Sequence, residues 1–420
     1  MGSLPNLHEL DKEKLGSPVF KPAPIGCLGP IRLPPLPPHT HKRGKRTSGS
    51  SRENDAMYIL APSYAMLGCC VSSSFLARTS HVNWCATSMA LVCCVSPEDP
   101  DETRRECLLR RLNRGIKLAE DIGLAIGCLI ATILISLMGL IPSSSTVYSD
   151  MGEVCGAEYC SGEMYFYNES LPTITSDAST VLVSIWLGLA ILGFFISCAF
   201  LDYRMQKSLK HDCKCVKDIL KSVKCAFQDP KLQLAAPLTF FIGLEQGFIY
   251  DDFMEAYVGC TLGGARTVAV CFLTLAFLQA VATVTLSMLL RHVADKRYFV
   301  VAVGFAFHFV LLLLLLVWKP TRDDPAVFYV ISAAWGLCNS IWETLIYTLV
   351  MGLYPNSWQG PLSTSLFWRW LGLTLALGLH GVVCTRYRVI GLGTMLVMTV
   401  VPHLWLEICL ARRGTTLAPL

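Results

Sequence analysis

The chain has 420 residues, of which 53% are hydrophobic and only 16% charged, with a formal net charge of +4. That balance is too apolar for a soluble protein of this size and argues against an ordinary soluble enzyme or a nucleic-acid-binding domain. The small positive charge carries little meaning by itself, because loop asymmetry sets orientation in membranes.

Residues 1–56 are rich in Pro, Gly, Ser, Lys and Arg, have few aromatics, and read as a disordered basic tail. No secretory signal is expected there, since the apolar h-region is missing. Within the tail, Arg32-Leu33-Pro34-Pro35-Leu36-Pro37-Pro38 favours polyproline II. Pro34, Pro35, Pro37 and Pro38 would suit an SH3-type groove; the plainer reading is a linker. His41-Lys42-Arg43-Gly44-Lys45-Arg46 suits anionic headgroups, or is simply a solvated basic run.

Beyond the tail, runs of about 20 apolar residues match a bilayer core roughly 30 Å thick. Nine candidate spans follow: 57–77, 118–141, 179–201, 232–250, 265–290, 298–318, 326–353, 361–384 and 388–411. The first is marginal, holding Pro62 and several serines and ending at Arg78. The expected class is an all-α polytopic membrane protein. Its expected parts are the tail 1–56, a helical region 57–201 with three spans, a basic cytosolic linker 202–231, a six-helix region 232–411 and a short tail 412–420.

Loops set the orientation. Residues 204–231 carry eight Lys or Arg and loop 102–114 carries five arginines, so both read as cytosolic. Between them, 142–178 holds no Lys or Arg but carries Cys155-Gly156-Ala157-Glu158-Tyr159-Cys160 and the acceptor sequence Asn168-Glu169-Ser170. A glycan on Asn168 and a Cys155–Cys160 disulfide both belong to the lumenal or outer side. Most of the other cysteines lie in or beside spans, where a thiol packs as a small hydrophobe. His211, Cys213, Cys215 and Cys225 have poor spacing for a closed zinc site, and no metal or cofactor is expected. Palmitoylation of Cys213 and Cys215 suits their juxtamembrane position better.

Two stretches place polar groups inside apolar runs: Gly243-Leu244-Glu245-Gln246-Gly247-Phe248 and Trp335-Gly336-Leu337-Cys338-Asn339-Ser340-Ile341-Trp342-Glu343-Thr344. Such groups are costly in lipid, so Glu245, Gln246, Asn339 and Glu343 are candidate functional residues. Gly243 and Gly247 form a small-x-x-x-small face that lets another helix approach. Asp251, Asp252 and Glu255 cluster where that span ends, either attracting cations at an outer mouth or forming a solvated helix end. Lys117 stands three and four residues before Glu120 and Asp121, the spacing of a local ion pair. His308 and His380 read as hydrogen-bonded residues of apolar spans. No catalytic motif is found in a supporting context.

Gly243-x-Glu245-Gln246-Gly247-Phe248, Asp252-Phe253, Tyr257-Val258 and Cys260-Thr261-Leu262-Gly263 resemble the seventh span of the uncoordinated-93 family, a branch of the major facilitator superfamily. Trp335-Gly336 with Trp342-x-Thr344 is similar to the family's tenth span, and Trp368, Leu371 and Gly372 to its eleventh. Tyr58-x-Leu60-x-Pro62, Leu67-Gly68, Asn113, Gly127 and Cys155-Gly156-Ala157 fit the fourth and fifth spans and the loop after them. The resemblance runs from about residue 57 to 411 and implies two six-helix halves. By that pattern residue 57 opens the fourth span, so the expectation is a product lacking three spans. The alternative is that 57–77 does not span, because nine Lys or Arg in a lumenal tail would offend the positive-inside rule.

In the tenth span the family pattern carries Asp and Gln where this chain has Asn339 and Glu343. In the eleventh it carries Arg and Glu where this chain has Leu366 and Arg369. The couple is thus re-formed about one turn away. Across the loop 354–360 the depths of Glu343 and Arg369 differ by only ~3 Å at 1.5 Å per residue, which predicts a Glu343–Arg369 pair; the alternative is that water or backbone satisfies each charge separately. Family resemblance implies a non-enzymatic regulatory or accessory subunit, most directly of a potassium channel, or a receptor-trafficking escort. The competing reading is a secondary transporter of a small solute or cation that uses Glu245, Glu343 and Arg369 between repeats. The membrane is either the plasma membrane or an endomembrane.

Overall fold

The computed structural model describes residues 82, 85, 86, 89, 101–137, 155–160, 176–200, 221, 223–292, 297–354, 358–380 and 382–412. The tail, segment 57–77, the proline run, Cys213, Cys215 and Asn168 lie outside the described residues. Those described are mostly helical, with no strand among them. In chain order the helices are α1 (Asp101–Leu137), α2 (Ser176–Phe200), α3 (Pro230–Leu262), α4 (Ala265–His292), α5 (Arg297–Val317), α6 (Pro325–Leu353), α7 (Gln359–Gly378) and α8 (Thr385–Arg412).

By internal packing the chain divides into two units, 1–88 with 184–221 and 89–183 with 222–420. In the first, the described part of α2 is an apolar helix end whose Leu187, Leu192 and Phe195 are exposed. The second unit holds α1 and α3–α8. There α7 packs along α3, α6 and α1 pack on α4, and α8 packs on α3 and α5.

Six helices among the described residues are long and apolar enough to cross a membrane: Arg111–Leu137 within α1, then α3, Ala265–Leu290 within α4, α5, α6 and α8. Two expected spans fall short of that test for physical reasons. α7 carries Gln359, Ser363, Thr364, Ser365, Arg369 and Thr374, which dilute its apolar character. In α2 the described apolar stretch is only Thr180–Ile196.

Local chemistry explains the helix ends. Asp229 caps α3 by accepting from the Lys231 N–H at 2.9 Å, with Pro230 in the first turn, where its missing donor costs nothing. Gly263, at φ 66°, ends the helix in a conformation that L side chains rarely adopt. Between these ends, Ile249–Gly259 is wound as a π-helix, and the Cys260 N–H reaches the Glu255 carbonyl five residues back. Such wide turns are rare and recur at functional sites.

On α1, Asn113 and Asp121 are buried while Ile122, Ile126, Leu129 and Ile133 are exposed. The helix therefore has a polar inward face and an apolar outward one, as a lipid-facing helix with internal partners should. α6 is buried nearly all round, including Trp335, Asn339, Ser340, Trp342, Glu343 and Thr348. Close approach of α7 to α3 depends on glycine. A Cβ on Gly243 would stand 1.9 Å from the Arg369 carbonyl oxygen, and one on Gly372 would stand 2.1 Å from that of Phe240. The small-residue face thus meets α7, and it brings the polar residues of the two helices to one level.

Candidate functional site

Gln246, Asn339, Glu343 and Arg369 converge, and they meet four residues of α1 and α4. Lys117 Nζ is 2.9 Å from Asp121 Oδ1 and also pairs with Glu343 Oε2. Arg369 pairs with Glu343 Oε1 and donates from Nε to Gln246 Oε1 at 3.0 Å. Gln246 Nε2 donates to Asn339 Oδ1 at 3.0 Å and to Glu343 Oε1 at 2.9 Å. Asn339 Nδ2 donates to Gln279 Oε1 at 2.8 Å, and Gln279 Nε2 to Asp121 Oδ1 at 2.9 Å. Thr283 adds a 2.7 Å bond to the second Asp121 oxygen.

The result is a closed circuit, Lys117–Asp121–Gln279–Asn339–Gln246–Glu343–Lys117, with Arg369 joined at two members. Two cations face two carboxylates, so the layer is formally neutral. An unpaired charge here would be very costly, whereas a network that satisfies its members rigidifies the helices it joins. Five helices are tied at one level: α1, α3, α4, α6 and α7.

Glu245 does not join the circuit. It is fully buried, with Oε2 3.2 Å from His308 Nδ1. That nitrogen already accepts from Trp342 Nε1 at 2.9 Å. Indole N–H is only a donor, so the ring proton belongs on Nε2 and the Glu245–His308 contact is not an ion pair. His308 is accordingly a buried hydrogen-bonded residue, set between Phe241, Trp335 and Trp342.

At one end of the bundle the loop 155–160 lies over α3 and α8. The expected Cys155–Cys160 disulfide is corrected: Cys155 bonds Cys260, and Cys160 bonds Cys384. A short 3₁₀ turn, Gly156–Glu158, separates the two cysteines, and each finds its partner on the element beneath it. Two polar contacts reinforce the strap. Tyr159 OH donates to Glu255 Oε1 at 2.8 Å, and the Thr385 N–H donates to the Tyr159 carbonyl at 3.0 Å. Burial and the adjacent Glu255 carboxylate raise the Tyr159 pKa.

Under the strap Asp251, Asp252 and Glu255 do not form a bare acidic end. His380, in the turn after α7, has Nδ1 3.1 Å from both Asp251 Oδ2 and Asp252 Oδ1, and Nε2 2.8 Å from Glu255 Oε2. Hydrogen bonds to Asp252 and Glu255 raise its pKa to about 9, against the opposing effect of burial. Arg388 of α8 pairs with Asp252 and is itself buried.

The opposite end carries a further ion pair that sequence reasoning missed. Buried Arg297 donates to Thr348 Oγ1 at 2.7 Å and lies 3.2 Å from Glu407 Oε1. Tyr354 OH donates to the helix-capping Asp229 at 2.6 Å, and burial together with this bond raises the tyrosine pKa. Asp121, Gln279, Arg297, Arg388 and Glu407 were legible by the rule that flagged Glu245, since each interrupts or borders an apolar run. Apart from the Lys117–Asp121 pair, which its i,i+4 spacing foretold, their partners were not.

No protein-family model matches the chain. Among known proteins it is similar to protein unc-93 homolog A of Xenopus laevis, 26% identical over 272 residues, covering 63% of this chain and 57% of that protein. The human protein unc-93 homolog A is 26% identical over 273 residues, 64% of this chain and 58% of its own length. The Caenorhabditis elegans unc-93 protein, named for potassium channel regulation, is 31% identical over 152 residues, 36% of this chain and 21% of that protein. The chain thus spans just over half the length of the first two relatives. With six helices among the described residues long and apolar enough to cross a membrane, and unc-93 relatives, it is an integral multi-pass membrane protein.

Proposed function

We propose that the chain is a non-enzymatic accessory membrane protein that regulates a potassium channel, its helical bundle serving as a fixed docking scaffold. The observation that supports this reading is the closed, charge-balanced circuit through Lys117, Asp121, Gln279, Asn339, Gln246 and Glu343. Its members spend their donors and acceptors on one another, so the layer favours holding helices over exchanging a solute. The name of the Caenorhabditis elegans relative supplies the channel class.

A second reading, a secondary transporter of a small solute or cation, draws on Glu245. This carboxyl group is fully buried beside the circuit, near the middle of α3, and transporters place their sites near the bilayer midplane. Affinity purification of the tagged full chain from its own tissue in mild detergent separates the two. A stoichiometric potassium channel subunit supports the accessory role. A partner-free folded protein whose solute flux is abolished by Glu245→Gln overturns it.

A further inference from the structure

Glu245 lies beside the circuit and takes no part in it. It is fully buried, and neither carboxyl oxygen receives a hydrogen bond among the described residues. Arg369, the cation whose field reaches it, is committed to Gln246 and Glu343, and the Glu343 carboxylate itself repels a second negative charge. Buried Cys338 of α6 also stands within its field and brings no positive charge. A bare carboxylate in these surroundings is an uncompensated buried charge, among the costliest groups a protein can hold.

The contact with His308 shows what offsets it. His308 Nδ1 receives the Trp342 indole N–H at 2.9 Å, so that nitrogen carries a lone pair. Glu245 Oε2 stands 3.2 Å from the same nitrogen. Two lone pairs at that distance repel, and the contact is favourable only with a proton between them. The ring cannot supply it, because its own proton is on Nε2. That nitrogen has no acceptor among the described residues, so an imidazolium would also lack a second partner. The proton belongs to the carboxyl group, as Oε2–H donating to Nδ1, which then accepts from both Glu245 and Trp342. A larger cation finds no ligands here. Calcium and magnesium take about six to eight oxygen ligands, whereas the rings of Phe241, Trp335 and Trp342 stand 5.2–6.4 Å from the imidazole, centre to centre.

We propose that Glu245 is a proton-binding site, filled when α5 and α6 are closed over α3. The seal is tight one turn before His308, where a Cβ on Gly304 would stand 2.9 Å from Ile341 Cγ2 of α6. Release requires α3 to part from α5 and α6: the Glu245 O–H bond breaks, the proton passes to the water that enters, and the same water solvates the carboxylate left behind. Proton exchange and opening of the bundle are thereby one event. On the transporter reading, on which this role rests, the small cation is a proton; the filled site itself does not depend on that reading.

The test is infrared spectroscopy of the full chain in detergent at neutral pH, in H2O and after transfer to D2O. A C=O stretch of a protonated carboxyl group is expected, and Glu245→Gln should remove it. The variant should stay folded, since its amide N–H takes over the bond to His308 Nδ1. The band's shift in D2O should lag behind that of exposed groups. Should Glu245→Gln fail to fold, Glu245→Asp must displace the band instead. A spectrum with no band that follows Glu245 overturns the proposal, and so does a band that shifts as fast as mixing, because such a site would already be open to water. No solute enters this measurement, so a band that follows Glu245 upholds the site even where flux assays fail, and that failure removes only the transporter reading.

Discussion

Glu343→Gln probes the charge circuit most directly. The Glu343 side chain is 4% exposed and stands between Lys117 and Arg369, so the variant leaves two cations facing an amide. Removing one partner of a buried ion pair costs about 3–5 kcal/mol. The introduced amide can keep the bond from Gln246, now 2.9 Å, and Arg369 is 30% exposed and keeps contact with water. The lower end, about 3 kcal/mol, is therefore expected. Two double variants then separate local pairing from net charge. Adding Arg369→Leu leaves Lys117 with Asp121 at 2.9 Å, an intact pair. Adding Lys117→Met is equally neutral on paper but leaves Asp121 and Arg369, which share no ion pair among the described residues. Rescue of about 1–2 kcal/mol is expected from the first and little from the second. Thermal unfolding of detergent-purified full chain, followed by tryptophan fluorescence, gives the comparison. Equal rescue by both doubles would show that overall charge, not this pairing, governs stability, and an unaffected single variant would refute the burial argument.

Gly372→Ala should destabilise the α3–α7 contact by about 1–3 kcal/mol, the usual cost of overpacking, because its Cβ would lie 2.1 Å from a backbone oxygen. Gly123→Ala, with nothing within 4 Å, should instead gain about 0.5–1 kcal/mol; the same unfolding assay reads both. Non-reducing peptide mapping should recover Cys155–Cys260 and Cys160–Cys384 links and no Cys155–Cys160 link, and Cys160→Ser should cost about 2–4 kcal/mol in oxidised protein only. Asp229→Ala removes both the α3 cap and the Tyr354 bond, so a loss of about 1–2 kcal/mol is expected, with Tyr354→Phe reproducing part of it.

Some of this molecule was written locally and some was not. Apolar runs, the lysine- and arginine-poor loop, the glycine face at Gly243 and Gly247 and the polar residues within spans are one-dimensional features, because lipid imposes its demands residue by residue along each helix. The Glu343–Arg369 pair was also legible, since α6 and α7 are joined by a short loop and depth along each helix follows from residue count. Membership of the rest of the circuit was not. Lys117 and Asp121 are more than 200 residues from Glu343, and only the packing of α1 on α4 and of α4 on α6 brings them there. Disulfide partners failed for the same reason: Cys155 and Cys160 are neighbours in sequence, but their bonds depend on what lies beneath the strap. His380 looked like one more buried histidine until the wide turns of α3 set three carboxylates around it. Burying a charged or polar group is a cost each segment incurs alone, while the partner that offsets it is chosen by how helices cross, and that choice was left to the tertiary structure.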